Sequence, residues 1–155
     1  MFTIVRLLAL LVMLSGGSAI AQSARPLQVD RIDVRLFYHH SGTFSEPIDK
    51  RTALWNTIIG AGDAKEPSSS LFVDVIVKGA PGSYKPKTVL RLTTTNEQTG
   101  KVIAKQIKEV GVLSAEGEYH LGFWLADTGC DPLRLVAGFR DGNQHKVFVP
   151  FKCGE

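Results

Sequence analysis

The chain has 155 residues, with 18 basic and 15 acidic side chains and a formal net charge of +3. The two signs are nearly balanced and interleaved along the sequence, so the basic stripe that nucleic-acid binding requires is missing. The length suits a single domain with a hydrophobic core of its own, following a short targeting segment.

Residues 1–21 have the features of a secretory signal peptide. Arg6 is their only charge, residues 7–14 are apolar, and an Ala-Ile-Ala cleavage pattern ends at Ala21. The apolar run is too short to cross a bilayer, which takes about 20 residues. We therefore predict export, to the periplasm or as a secreted protein, with a mature domain of residues 22–155 and no integral membrane segment after cleavage.

Strand patterns dominate the predicted mature domain. Residues 29–38 alternate apolar with polar side chains, which is the period of a half-buried strand. Further strand-like runs cover residues 71–79, 88–95, 101–108 and 118–125, and two more lie between the cysteines of the chain. No stretch keeps a helical period over three turns. The pattern predicts seven strands, with an eighth near Trp55.

Residues 39–70 form the longest irregular segment, rich in Gly, Ser, Pro and Asp. A structureless loop of this length is unusual in a compact domain, so we expect part of it to be ordered, with Trp55 and Ile58 or Ile59 as anchors. Two interpretations stay open: the segment covers a sheet, or it is a binding loop that faces a partner.

The last two strands are predicted to form a hairpin around Asp141 and Gly142. A two-residue turn would place the apolar residues of the two strands on opposite faces. A loop of Asp141, Gly142 and Asn143, with Asn143 in the left-handed conformation, brings them to one face. We therefore favour that three-residue loop, which pairs Leu135 with Val149.

The only two cysteines, Cys130 and Cys153, bracket this hairpin. In an exported chain an even pair predicts a structural disulfide rather than a metal or catalytic thiol site. Cys130 lies in an irregular Thr-Gly-Cys-Asp-Pro corner, from which it can reach Cys153 at the end of the last strand.

Seven to eight short strands separated by turns predict an all-β protein, an antiparallel β-sandwich. In strand count and order, residues 29–151 resemble immunoglobulin-like or fibronectin-type-III-like domains. The resemblance implies two packed sheets and carries no functional residue with it.

Two adjacent histidines, His39 and His40, follow the first strand and could bind a metal with Asp63 or Glu46. Adjacent strand residues point to opposite faces, however, which favours two exposed polar side chains at a strand end. No serine motif of the hydrolase type is present, and no cofactor is predicted.

Trp55 and Trp124 are the remaining candidates for a partner surface. Trp124 has the parity opposite to Tyr119, Leu121 and Phe123, so it faces outward unless residues 39–70 cover it. We favour the covered arrangement, and an exposed tryptophan would instead indicate an interface.

These observations favour a binding or accessory module without catalysis, with an unknown protein or small ligand as partner and no nucleic acid. Its candidate partner surface comprises Trp55, Trp124, His39 and His40. The alternative is a hydrolase or metal-dependent enzyme that uses His39, His40 and the loop of residues 41–70.

Overall fold

Two antiparallel four-stranded sheets pack face to face in the computed structural model, which describes residues 25–154. The predicted all-β sandwich is confirmed. Its strands are β1 (Gln28–Tyr38), β2 (Thr43–Phe44), β3 (Ser70–Lys78), β4 (Val89–Asn96), β5 (Val102–Glu109), β6 (Glu118–Leu125), β7 (Leu133–Gly138) and β8 (Gln144–Val149). The predicted signal peptide, residues 1–21, lies outside the described residues.

The first sheet has the strand order β2-β1-β3-β6, and the second has the order β5-β4-β7-β8. In immunoglobulin-like domains, strands A, B and E share one sheet, and C, F and G share the other. The order found here is compatible with that arrangement, and the family resemblance itself stays a prediction. Within residues 25–154, no helix is long and apolar enough to cross a membrane.

Alternating side chains of both sheets form the core. In β1 the buried residues are Ile32, Val34, Leu36 and Tyr38, as the sequence period predicts. In β6 Leu121, Phe123 and Leu125 are buried, and in β7 Leu133, Leu135 and Ala137. Every second residue therefore lies on an outer face, and these outward positions decide what the protein offers to a partner.

Strand β6 is an edge strand, and β5 of the opposite sheet protects its free backbone. Gln106 Nε2 donates a hydrogen bond to the Trp124 carbonyl oxygen at 2.8 Å, and Lys108 Nζ donates to the Gly122 carbonyl oxygen. A lysine near an edge opposes the addition of another strand. Partner binding by strand addition is therefore disfavoured at β6.

The terminal hairpin differs from the predicted one in its loop. Leu133 pairs with Val149 and Leu135 with Val147, so residues 139–143 form the loop and the three-residue version is wrong. The offset is two residues, which keeps every side chain on the predicted face. Asn143 is not in the left-handed region.

Asn143 instead holds the loop against the first strand. The Val29 N–H donates to Asn143 Oδ1 at 3.0 Å, and Asn143 Nδ2 donates to the Val29 carbonyl oxygen at 2.9 Å. Both backbone groups of Val29 are thereby satisfied by one side chain. This contact draws the longer loop across the end of the sandwich.

Residues 39–70 are ordered by contacts different from the predicted ones. The eighth strand is β2 rather than a strand near Trp55, where only a single parallel bridge to Lys152 forms. The buried residues of this segment are Leu54, Thr57, Ala64, Ser68 and Ser70. Trp55, Ile58 and Ile59, predicted as anchors, are exposed.

Candidate functional site

Four aromatic rings from four strands meet on the outer face of the first sheet. Phe37 lies edge-on to Trp124 with 4.7 Å between ring centroids. Phe44 contacts both Phe37 and Phe72, with 5.3 Å between centroids in each pair. We call Phe37, Phe44, Phe72 and Trp124 the aromatic cluster. The distances between its ring centroids lie in the range of favourable aromatic pairs.

Strand parity and register bring these rings together. Phe37 follows buried Leu36, and Phe72 follows buried Leu71, so both point away from the core. Phe72 is directly opposite Trp124 in the β3–β6 ladder. Phe44 reaches the same face because it pairs with Phe37 in the short β1–β2 ladder.

Gly122 makes room for Phe72 on this face. A Cβ atom at Gly122 would lie 2.7 Å from Phe72 Cζ, which is closer than van der Waals contact allows. The Phe72 ring therefore lies over the backbone of β6. Any larger residue at position 122 would displace that ring and change the aromatic cluster.

The aromatic cluster is only partly covered. The side chains of Trp124 and Phe44 are 42% and 46% exposed, although residues 39–70 are folded against the sandwich. The favoured prediction, that this segment buries Trp124, is therefore wrong. The segment instead contributes Phe44 to the same surface.

Charged pairs occupy the other end of this outer face. His120 Nδ1 lies 2.7 Å from Asp74 Oδ2, and Lys78 Nζ contacts the carboxylates of Asp30 at 3.2 Å and Glu118 at 3.3 Å. Hydrogen bonds raise the pKa of Lys78 above its usual value, and the bond to Asp30 contributes more than the bond to Glu118. The face thus divides into a charged half and an aromatic half.

His39 joins the aromatic half. Its ring lies 5.1 Å from the Phe37 ring, edge to face, and its Nε2 is hydrogen-bonded to Ser70 Oγ at 3.1 Å. A serine hydrogen-bonded to a histidine could form a nucleophile–base pair, in which a third group, often a carboxylate, orients the histidine. Among the described residues, no carboxylate is hydrogen-bonded to His39. His40 is exposed beside it.

The predicted metal ligands do not converge in the part of the chain described. Residues 25–154 contain no group of three or more His, Cys, Asp or Glu side chains placed to hold a metal ion. Asp63 accepts a hydrogen bond from the Ala53 N–H at 2.6 Å, and Ser45 Oγ donates to the Glu46 carbonyl oxygen at 2.6 Å. Asp63 therefore stabilises the loop itself.

Trp55 belongs to a separate surface beside the disulfide corner. Cys130 and Cys153 are at disulfide distance, with their Cα atoms 4.7 Å apart. The Asn56 N–H donates to the Lys152 carbonyl oxygen at 2.7 Å, next to Cys153. Trp55 is 52% exposed and Ile59 is 69% exposed. Within residues 25–154, the Trp55 ring packs against no other aromatic ring.

A comparison with known protein families gives no match, and no curated protein is significantly similar in sequence. Of the predicted surface residues, Trp124 and His39 lie together at the aromatic cluster, while Trp55 lies elsewhere. Phe37, Phe44 and Phe72 were not predicted to belong to this surface. For Phe37 and Phe72, the strand parity that placed Trp124 outward would have indicated it, whereas Phe44 lies in residues 39–70, which have no such period.

Proposed function

We propose that the protein is an exported binding module without catalysis of its own, which holds a protein partner through the aromatic cluster. The observation that carries this proposal is the exposure of Trp124 and Phe44 on the outer face of a folded sheet. Tryptophan is enriched at the centres of protein interfaces, where a few large side chains supply most of the binding energy.

A rigid base supports this assignment. Phe37, Phe72 and Trp124 project from the ladders of β1, β3 and β6, so their backbones are fixed before a partner arrives. Contacts between the rings also restrict their rotamers. Little conformational entropy of these side chains is then lost on binding, which favours affinity.

The chemistry of the surface favours an apolar protein surface as the occupant. Aromatic side chains form its centre, and polar groups border it at His39 and at Arg35, whose Nη1 donates to the Ser45 carbonyl oxygen at 3.1 Å. An apolar centre with a polar border is the usual arrangement of protein interfaces. We expect the partner to present aliphatic or aromatic side chains to Phe44 and Trp124.

Photo-crosslinking from position 44 tests this function. Replacing Phe44 by a benzoyl-phenylalanine analogue in the native host should give one specific adduct. Phe148 is the matched control, because it is also a strand phenylalanine, is 54% exposed and lies on the outer face of the opposite sheet. The same adduct in equal yield from position 148 would contradict the proposal, and an adduct of twice the chain mass would identify a second copy as the occupant.

The purified partner then allows a quantitative test. The variant F44A/W124A should bind it at least about thirtyfold more weakly, which corresponds to roughly 2 kcal/mol at a hot spot. Unchanged affinity in a variant that retains the wild-type unfolding midpoint would remove the aromatic cluster from the interface. The enzyme alternative would need a carboxylate to orient His39, and within residues 25–154 none is hydrogen-bonded to the His39–Ser70 pair.

Export is part of the same proposal. The mature protein purified from the host should be lighter than the unprocessed chain by the mass of residues 1–21, because the signal peptide pattern ends at Ala21. Intact mass spectrometry of the exported and total protein measures this directly. A mature chain that still carries residues 7–14 would contradict both export and the reason for expecting an oxidised cysteine pair.

A further inference from the structure

A cleft of about 740 Å³ opens at the end of the sandwich opposite the aromatic cluster. At this end Gln28 pairs with Lys78, whereas Phe37 pairs with Ser70 at the other. Its walls come from residues 25–27, 79–80, 83–89, 110–111, 113 and 139–142. We call it the basic cleft. Volumes of 300–1,000 Å³ are typical of small-molecule sites.

Four cationic side chains line the basic cleft: Arg25, Lys85, Lys87 and Arg140. In the part of the chain that the structure describes, the only carboxylate in this lining is that of Asp141. Within residues 25–154, none of these four cations forms an ion pair. Their charges are therefore available to a ligand, and the cleft attracts anions.

Contacts along the cleft keep its main loop in place. The carboxylate of Glu109 accepts hydrogen bonds from the Lys87 N–H at 3.1 Å and from the Tyr84 hydroxyl at 3.4 Å. The Leu113 N–H donates to the Ser83 carbonyl oxygen at 3.0 Å. These contacts hold the β3–β4 loop against the segment that follows β5, so the cleft exists before a ligand binds.

The rest of the lining is apolar. Val110 and Leu113 are buried at its base, and Leu27 packs against the core beside them. Phe139 and exposed Tyr84 add aromatic surface. A ligand that carries charge alone would leave this surface in water, while a purely apolar one would leave the cations unused.

We propose that the basic cleft binds a small anionic amphiphile, a molecule with a carboxylate, sulfate or phosphate head on an apolar body. The cations receive the head, and the apolar base buries part of the body. This site is independent of the aromatic cluster, so the two proposals can fail separately.

Titration calorimetry of the purified exported protein with decanoate, below its micelle concentration, tests the proposal. We expect saturable binding of one decanoate per chain. Decanol lacks the charge and acetate lacks the chain, so each should bind at least about tenfold more weakly. Affinity should rise about threefold to fourfold for each methylene from hexanoate to decanoate, which follows from about 0.8 kcal/mol per buried CH₂.

A matched pair of charge-reversal variants locates the site. K85E/K87E should weaken decanoate binding at least about tenfold, since two of the four cations are inverted. K101E/K105E makes the same change in net charge at exposed lysines outside the cleft, and it should leave the affinity within about twofold. Circular dichroism of both variants reports whether they remain folded.

Three outcomes would overturn the proposal. Equal affinity for decanol and decanoate would indicate a purely apolar groove, and equal weakening by both variants would indicate nonspecific attraction. Binding to anionic phosphatidylglycerol vesicles without binding to monomeric decanoate would assign the cations to a membrane surface instead.

Discussion

Replacing Phe123 by alanine is expected to lower the free energy of unfolding by about 3–5 kcal/mol. Phe123 is among the largest fully buried side chains, with 1% of its surface exposed. It pairs with Val73 in the β3–β6 ladder, and Lys108 Nζ lies 5.3 Å from its ring centroid. Because the ladder with β3 and the hydrogen bonds from Gln106 and Lys108 hold the backbone of β6 in place, the site cannot collapse fully around the smaller side chain.

Urea unfolding of the mature protein measures this loss. The control is F148A, which removes the same atoms from an exposed strand position and should change stability by less than about 0.5 kcal/mol. A loss in F123A no greater than that in F148A would contradict the assignment of Phe123 to the core.

Removing the disulfide with C130A/C153A should cost about 3 kcal/mol, the chain-entropy value for a loop with a sequence separation of 23. The bond also lies beside a folded corner. Thr57 Oγ1 donates a hydrogen bond to the Gly129 carbonyl oxygen at 3.3 Å, and the Gly154 N–H donates to Asn56 Oδ1 at 2.6 Å. Without the crosslink, these loop contacts should open first.

Reductant provides the internal control for this second variant. Wild-type protein unfolded in urea with dithiothreitol should fall to the stability of C130A/C153A, while the variant should not respond. Peptide mapping of the exported protein under non-reducing conditions should find the two cysteines linked. Free thiols in that material would show that the bond does not form in the native compartment.

The strands and their faces could be predicted because each is a local, period-two pattern. The terminal hairpin shows the limit of that reasoning. Its faces were predicted correctly from Leu135 and Val149, but its loop was not. The loop length depends on the contact between Asn143 and Val29, 114 residues away in sequence. No local propensity encodes such a contact.

The candidate site was predicted in part for the same reason. The parity of strand β6 predicted that Trp124 points outward, and its side chain is 42% exposed in the structure. The assignment of Trp55 as an anchor was wrong, since its side chain is exposed and the nearby Leu54 and Thr57 are buried instead. Which residue of an irregular segment turns inward depends on its backbone path. Here the bridge to Lys152 near the end of the chain fixes that path.

The two hydrogen bonds between Val29 and Asn143 affect when the protein can fold. β1 is made early in synthesis, yet one side chain near the end of the chain satisfies both backbone groups of Val29. Contacts this distant in sequence slow folding, and a chain grows at only about 5–20 residues per second. We therefore expect the sandwich to stay open until its last hairpin has been synthesised. A translocation machinery that accepts extended chains would therefore receive this chain before it folds.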